Sequence, residues 1–215
     1  AERVEQSMPY AAYIPLYQNG ESLLSLSDYY ATDTHWRQEK ITDVADLLAE
    51  RMGTGRTGVY ETKKLDTPFY GVYVGQAALS PTPEELFYLT NETIEASTVY
   101  DYETDTTSGV YVPEKAAAEE GNPMGTDSYE FFLSGAKPLL KITNPTNQDA
   151  KRLVVFRDSF ASALLPLLLE CYSEITVIDI RYIPSSTLGA YVNFEGADVL
   201  FLYSTLVLND SIQLR

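Results

Sequence analysis

Leu153-Val154-Val155-Phe156-Arg157-Asp158-Ser159-Phe160 sets the frame for the whole chain. Four apolar residues in succession have the length of a strand. A run without polar alternation fits a strand covered on both faces, as in a parallel sheet. The run ends in a turn, and Phe160–Tyr172 reads as a helix with Pro166 as a kink. Downstream, Glu174–Ile180 and Asp198–Tyr203 are two further apolar strands, joined by a partly helical connector over Ile183–Gly196. Buried strands alternating with helical segments give βαβ units, hence an α/β fold with a mostly parallel sheet in this part of the chain.

Upstream the pattern is richer in β signals. Pro138–Thr143 and Tyr129–Leu133 have strand composition around Gly135, and Phe69–Gly75 has it as well. Thr98–Glu103 and Val110–Val112 flank the polar tip Thr104–Gly109 and predict a hairpin. Gln38–Met52 predicts a helix, because Ile41, Val44, Leu47, Leu48 and Met52 recur at helical spacing and Gly53 follows as a stop. The expected organisation is one domain over residues 1–215, with 54–150 in part a β-rich insertion.

Composition narrows the function. With 45% hydrophobic residues the chain can bury a core. A formal net charge of −16 repels nucleic acid and anionic membrane surfaces, so neither is an expected partner. No run of 18 apolar residues is present to span a bilayer. The single cysteine, Cys171, lies in an apolar run and reads as a buried, inert thiol. One histidine and one cysteine do not make a typical zinc site, and the carboxylates show no calcium-loop spacing, so no metal and no cofactor is expected.

That one histidine stands in Tyr29-Tyr30-Ala31-Thr32-Asp33-Thr34-His35-Trp36, beside the only tryptophan. In an Asp-x-His unit the carboxylate of Asp33 can take the Nδ1–H of His35 and leave Nε2 free to accept a proton. Such a base needs a nucleophile, and Ser159, at the strand-to-helix turn, is the best candidate. Its competing role is an N-cap, shared with Asp158. His35 competes as a partly buried imidazole hydrogen-bonded to a carbonyl, and Asp33 as an Asx-turn residue. Trp36 reads as core. Arg181 is either a clamp for an anionic substrate group or an ion pair with Asp179, and Arg157 is a second candidate for substrate binding.

Asp33-Thr34-His35-Trp36, the Arg157-Asp158-Ser159-Phe160 turn and Ile178-Asp179-Ile180-Arg181-Tyr182 together resemble the DHHW family of bacterial envelope proteins. That family is similar to the SGNH-hydrolase-like domains of alginate O-acetyltransferases. The resemblance implies a three-layer SGNH-like domain outside the cytoplasm, in the cell envelope. It implies Ser159 as nucleophile, His35 as base and Asp33 as orienting acid, in a serine-dependent acetyl esterase or O-acyltransferase. It also implies an envelope polysaccharide or a small acyl ester as substrate and a membrane-bound acyltransferase as partner. Two departures stand out: Thr34 occupies the place of a second histidine, and Arg157 that of the glycine preceding Asp-Ser in ordinary SGNH hydrolases. The alternative is a non-catalytic carbohydrate- or partner-binding module that keeps the fold.

Overall fold

A computed structural model describes residues 6, 9–18, 20–77, 82–116 and 127–209. After a two-residue pair of strands, β1 (Tyr17–Gln18) and β2 (Glu21–Ser22), comes a 3-10 turn at Gln38–Lys40 and helix α1 (Thr42–Arg51). Val44, Ala45, Leu47, Leu48 and Ala49 of α1 are buried, which is the apolar stripe expected there. Gly53, at φ +70°, takes the left-handed conformation that ends such a helix without a Cβ penalty. A small antiparallel pair follows, β3 (Glu61–Lys64) with β4 (Phe87–Thr90), with helix α2 (Val72–Ala77) between them and helix α3 (Glu92–Ala96) after them.

The main sheet has six strands in the order β10-β8-β9-β7-β5-β6. These are β5 (Thr98–Asp101), β6 (Thr106–Gly109), β7 (Leu139–Thr143), β8 (Arg152–Arg157), β9 (Glu174–Ile178) and β10 (Ala197–Leu202). Only β10–β8 and β8–β9 are parallel; β9–β7, β7–β5 and β5–β6 are antiparallel. The sheet is therefore mixed, and the expectation of a mostly parallel sheet holds only for its βαβ half. The reason is that β7 reaches β8 through a short polar turn rather than a covering helix, so β7 lies against the far side of β9 and runs the other way.

β8 is covered on both faces, as its unbroken apolar run requires. Leu153 and Val155 face a large core with Leu164, Leu167, Leu168, Ile175 and Val177, while Val154 and Phe156 face a smaller one with Leu139, Ile178, Leu188 and Val192. The two crossovers account for this. From β8 the chain moves one strand over to β9, and from β9 it moves back past β8 to β10. Crossovers of one hand that run in opposite directions fall on opposite faces of the sheet. The strand order thus reverses beside β8, and the carboxyl end of β8 opens where α/β sheets place their ligands.

Three elements differ from expectation. The segment after β8 is a four-residue helix, α4 being reserved for Pro113–Ala116 and this one, α5, spanning Ala161–Leu164. It gives way to a 3-10 turn over Leu165–Cys171, where Pro166 removes an N–H. Phe69–Gly75 is not a strand: Phe69 makes an isolated bridge to Glu84 and the chain enters α2 at Val72. Tyr129–Leu133 is not a strand either, because Ser128–Phe131 is a 3-10 turn capped by the Asp127 side chain on the N–H of Tyr129. The predicted hairpin forms, with its second strand at Thr106–Gly109 instead of Val110–Val112. Cys171 is buried and free. Among the described residues no helix is long and apolar enough to cross a membrane.

Candidate active site

Ser159 lies two residues beyond the end of β8 and is partly exposed. Its hydroxyl caps nothing: the described partner of Oγ is Nε2 of His35, at 2.7 Å. Capping falls instead to buried Asp158, whose Oδ1 accepts the N–H of Phe160 at 3.1 Å while Oδ2 accepts the N–H of Ser204 at 2.6 Å. Asp158 also donates its own N–H to the carbonyl of Leu202. The serine turn is therefore fastened to the end of β10, and the N–H of Ser159 itself has no acceptor among the described residues.

The histidine reaches this turn from 124 residues away. Its loop is pinched by an antiparallel bridge between Tyr29 and Trp36 and by the N–H of Tyr30 donating to the carbonyl of His35. Trp36 is core, as expected, and donates Nε1–H to the carbonyl of Phe160 at 2.8 Å. Fully buried Gln38 donates to the carbonyl of Ala163 and accepts the N–H of Leu89. These side chains tie the histidine loop to the first turn of α5.

Asp33 stands behind His35. Its Oδ1 lies 2.6 Å from Nδ1 and also accepts the His35 N–H at 2.8 Å, so the Asx-turn and orienting roles coincide. A carboxylate only accepts, so Nδ1 carries the proton and Nε2 faces Ser159 as acceptor. Burial alone pushes the Asp33 carboxyl up. The hydrogen bond and charge of His35 and the N–H groups of His35 and Val72 outweigh it and hold the group below the usual carboxylate range.

The loop carrying Asp33 is held from a third direction. Oδ2 of Asp33 accepts the N–H of Val72, Oγ1 of Thr32 that of Gly71, and the Thr32 carbonyl that of Tyr73. The approach is so close that a Cβ on Gly71 would lie 2.1 Å from the Thr32 carbonyl oxygen. The carboxylate of Glu84 completes the grip, accepting the N–H groups of Ala31 and Thr32 and the Thr32 hydroxyl at 3.0, 2.8 and 2.6 Å.

Two rings also pack against the imidazole. Tyr129 lies parallel to it, centroids 3.9 Å apart with 8° between the planes, and Phe160 is tilted against it at 5.0 Å. Asp127, which caps the Tyr129 turn, has its carboxyl raised by burial and, against the pull of the Tyr129 N–H, by the charge of Asp33.

The two arginines do not join this array. Arg157 is fully buried, with Nη2 on the carbonyl of Gly135 at 3.0 Å and Nη1 on Oγ of Ser162 at 3.2 Å. Its guanidinium is withdrawn from solvent and braces the left-handed turn Leu133-Ser134-Gly135, so the expectation of a substrate contact is corrected to an internal brace. Arg181 spends Nε and Nη2 on the buried carboxylate of Asp179 at 2.9 and 2.6 Å and lies over the ring of Tyr182. The glycines of Phe69–Gly75 suggest bends or a close backbone approach, and Gly71 makes one against Thr32; nothing in the local pattern marks Val72, Glu84 or Tyr129, since each acts through a contact distant along the chain. An open recess of about 620 Å³ between Tyr60 and Asn91 includes none of these residues.

The fold and this geometry define a class: a mixed α/β protein that sets a carboxylate–imidazole–hydroxyl series at the carboxyl end of a parallel strand. Among solved structures the chain is similar to a DHHW family protein from Eubacterium siraeum, with 23% identity over 84% of this chain and 60% of that one, at a TM-score of 0.62. It is also similar to Bacillus cereus PatB1 carrying a sulfonyl adduct, with 20% identity over 87% of this chain and 62% of that one, at a TM-score of 0.59. A second PatB1 structure gives 18% identity over 87% and 64%, at 0.58. At such identities the likeness establishes the fold, and the chain spans about three fifths of the length of these structures. No family model matches the sequence, and no curated protein does.

Proposed function

We propose that this protein is a serine-dependent acyl esterase or O-acyltransferase with Asp33, His35 and Ser159 as its triad. The observation that carries this reading is the continuous hydrogen-bonded path from Asp33 Oδ1 through His35 to Ser159 Oγ, at 2.6 and 2.7 Å. Such spacing matches a nucleophile, its base and the group that orients the base.

In this mechanism Ser159 Oγ bonds to the acyl carbonyl carbon as its proton passes to Nε2 of His35. The carbonyl π electrons move to oxygen, and the free N–H of Ser159 donates to that oxyanion. Collapse re-forms the carbonyl and breaks the bond to the leaving oxygen, which takes the proton from His35. Water or a sugar hydroxyl, deprotonated by His35, then attacks the acyl-serine and releases Ser159. Asp33 keeps its negative charge throughout and stabilises the imidazolium. In this reading the acceptor is an envelope carbohydrate, and the acyl group comes from a small acyl ester or a membrane-bound acyltransferase. The support for that substrate class and for the envelope location is the sequence resemblance to the DHHW family, a member of which is among the structural neighbours.

A sulfonyl fluoride or fluorophosphonate tests the triad. The wild-type protein is expected to gain one covalent adduct at Ser159 by mass spectrometry and to cleave a chromogenic acetate. Ser159→Ala and His35→Ala are expected to do neither, and labelling unchanged by both substitutions would return the chain to the binding-module alternative.

A further inference from the structure

We propose that Tyr129 is a positioning residue for His35, its ring face fixing the imidazole plane and stabilising the imidazolium that forms as Ser159 attacks. This rests on the triad reading above. Nothing in the motif pattern marks Tyr129, which lies 94 positions beyond His35 in a 3-10 turn on a different part of the chain.

The geometry is specific. An imidazole in a pocket has one rotation left once Nδ1 and Nε2 are bonded, the small rocking about the line through Asp33 and Ser159. A flat neighbour at 3.9 Å and 8° restricts that freedom, and Phe160, tilted at 5.0 Å, crowds the same ring. The face of a phenol ring is electron-rich and attracts a cation set above it. His35 is 5% exposed and Tyr129 2%, so water does little to screen this attraction.

The phenol hydroxyl points to the ring itself as the working part. Its oxygen is buried and has no hydrogen-bond partner among the described residues. The groups around the pair are Asp33 on the histidine loop, Asp127 below the turn, Asp158 at the end of β8 and Tyr30 in the core. The Asp33 carboxylate meets the imidazole at its edge, through Nδ1, and the Tyr129 ring meets it at its face.

Because His35 is the only histidine, its ring protons give one titration curve by NMR, independent of turnover. Tyr129→Phe is expected to keep both the His35 titration midpoint and kcat within about twofold of wild type, since the ring face remains. Tyr129→Leu is expected to lower the midpoint and to reduce kcat by about tenfold or more with KM little changed. Should Tyr129→Leu fail to fold, phenylalanines with increasing fluorination at position 129 keep the shape and weaken the ring face, and the midpoint then falls stepwise. A midpoint and kcat unmoved by Tyr129→Leu or by the fluorinated series overturn the role of Tyr129. Loss of labelling in Ser159→Ala stays as a separate check, so a failure here is distinguishable from a failure of the triad.

Discussion

Nε2 of His35 and Oγ of Ser159 stand 2.7 Å apart although 124 residues separate them along the chain. The bond is made by two rigid supports, the capped end of β8 and a pinched loop clamped by α2. Asp33 completes it by dictating which nitrogen faces the serine. Asp33→Asn keeps the shape and an acceptor for the Val72 N–H, but allows the other tautomer. Turnover at neutral pH is expected to fall by roughly 10⁴-fold with KM little changed. Steady-state kinetics on a chromogenic acetate check this, and a loss below about tenfold would remove Asp33 from the mechanism.

Gly71 presents a different kind of test because it bears no functional group. A methyl at this position meets the Thr32 carbonyl oxygen at 2.1 Å and Cβ of Asp33 at 2.6 Å, backbone and a short side chain that cannot swing aside. Gly71→Ala is expected to push the two segments apart, to cost about 1–3 kcal/mol by overpacking, and to reduce kcat because Val72 no longer holds Oδ2 of Asp33. Denaturant melts and kinetics on the same preparation separate the two effects.

Arg157 separates bracing from binding. Its guanidinium is buried, burial pushes its pKa down, and Nε has no partner among the described residues. Arg157→Ala leaves a cavity, frees the Gly135 carbonyl and loosens the left-handed turn. A loss of about 3 kcal/mol in unfolding free energy is expected. A substrate contact would instead raise KM and leave the melting midpoint alone. Arg181→Ala is expected to be severe for the same class of reason, since it strands the buried carboxylate of Asp179 without its partner.

How much of this was visible in the sequence follows from the range over which each signal acts. The run Leu153–Phe156 announces a strand buried on both faces because burial is written into every residue of it. The α1 stripe is legible for the same reason. The β5–β6 hairpin is legible too, but the antiparallel placement of β7 between β9 and β5 is not, because strand direction depends on how a connector passes over its neighbours rather than on composition. Tyr129–Phe132 has strand composition, yet the Asp127 cap and the positive φ of Leu133, Ser134 and Gly135 fold it into a tight turn. Val72–Val74 was misread likewise, since the N–H groups of Gly71, Val72 and Tyr73 are drawn to Thr32 and Asp33. Asp33, His35 and Ser159 stand out by their motifs and are brought within hydrogen-bond distance of one another along the series, while the groups that hold them act only across space.

Buried Asp33 and half-buried Asp127 have their carboxyl groups displaced in opposite directions. For Asp33 the folded value is depressed, so the unfolded chain binds more protons as the pH falls. Its contribution is complete above the unfolded value near 3.9 and is lost as pH drops through the folded one. Asp127 has a raised folded value, because burial and, secondarily, the Asp33 charge resist ionisation. Above the ordinary value of about 3.9 the folded state keeps a proton that the unfolded chain has released, so ionising Asp127 erodes stability as pH rises. Asp127→Asn retains an oxygen to cap the Tyr129 N–H and removes the charge. It is expected to melt above wild type at pH 7 and to lose that advantage by about pH 4, where wild-type Asp127 is protonated. Asp33→Asn is expected to lack the steep acid-side loss of the wild-type curve. Thermal melts of the three proteins between pH 3 and 8 measure both effects, and an Asp127→Asn curve parallel to wild type throughout would show that residue to be ionised without cost.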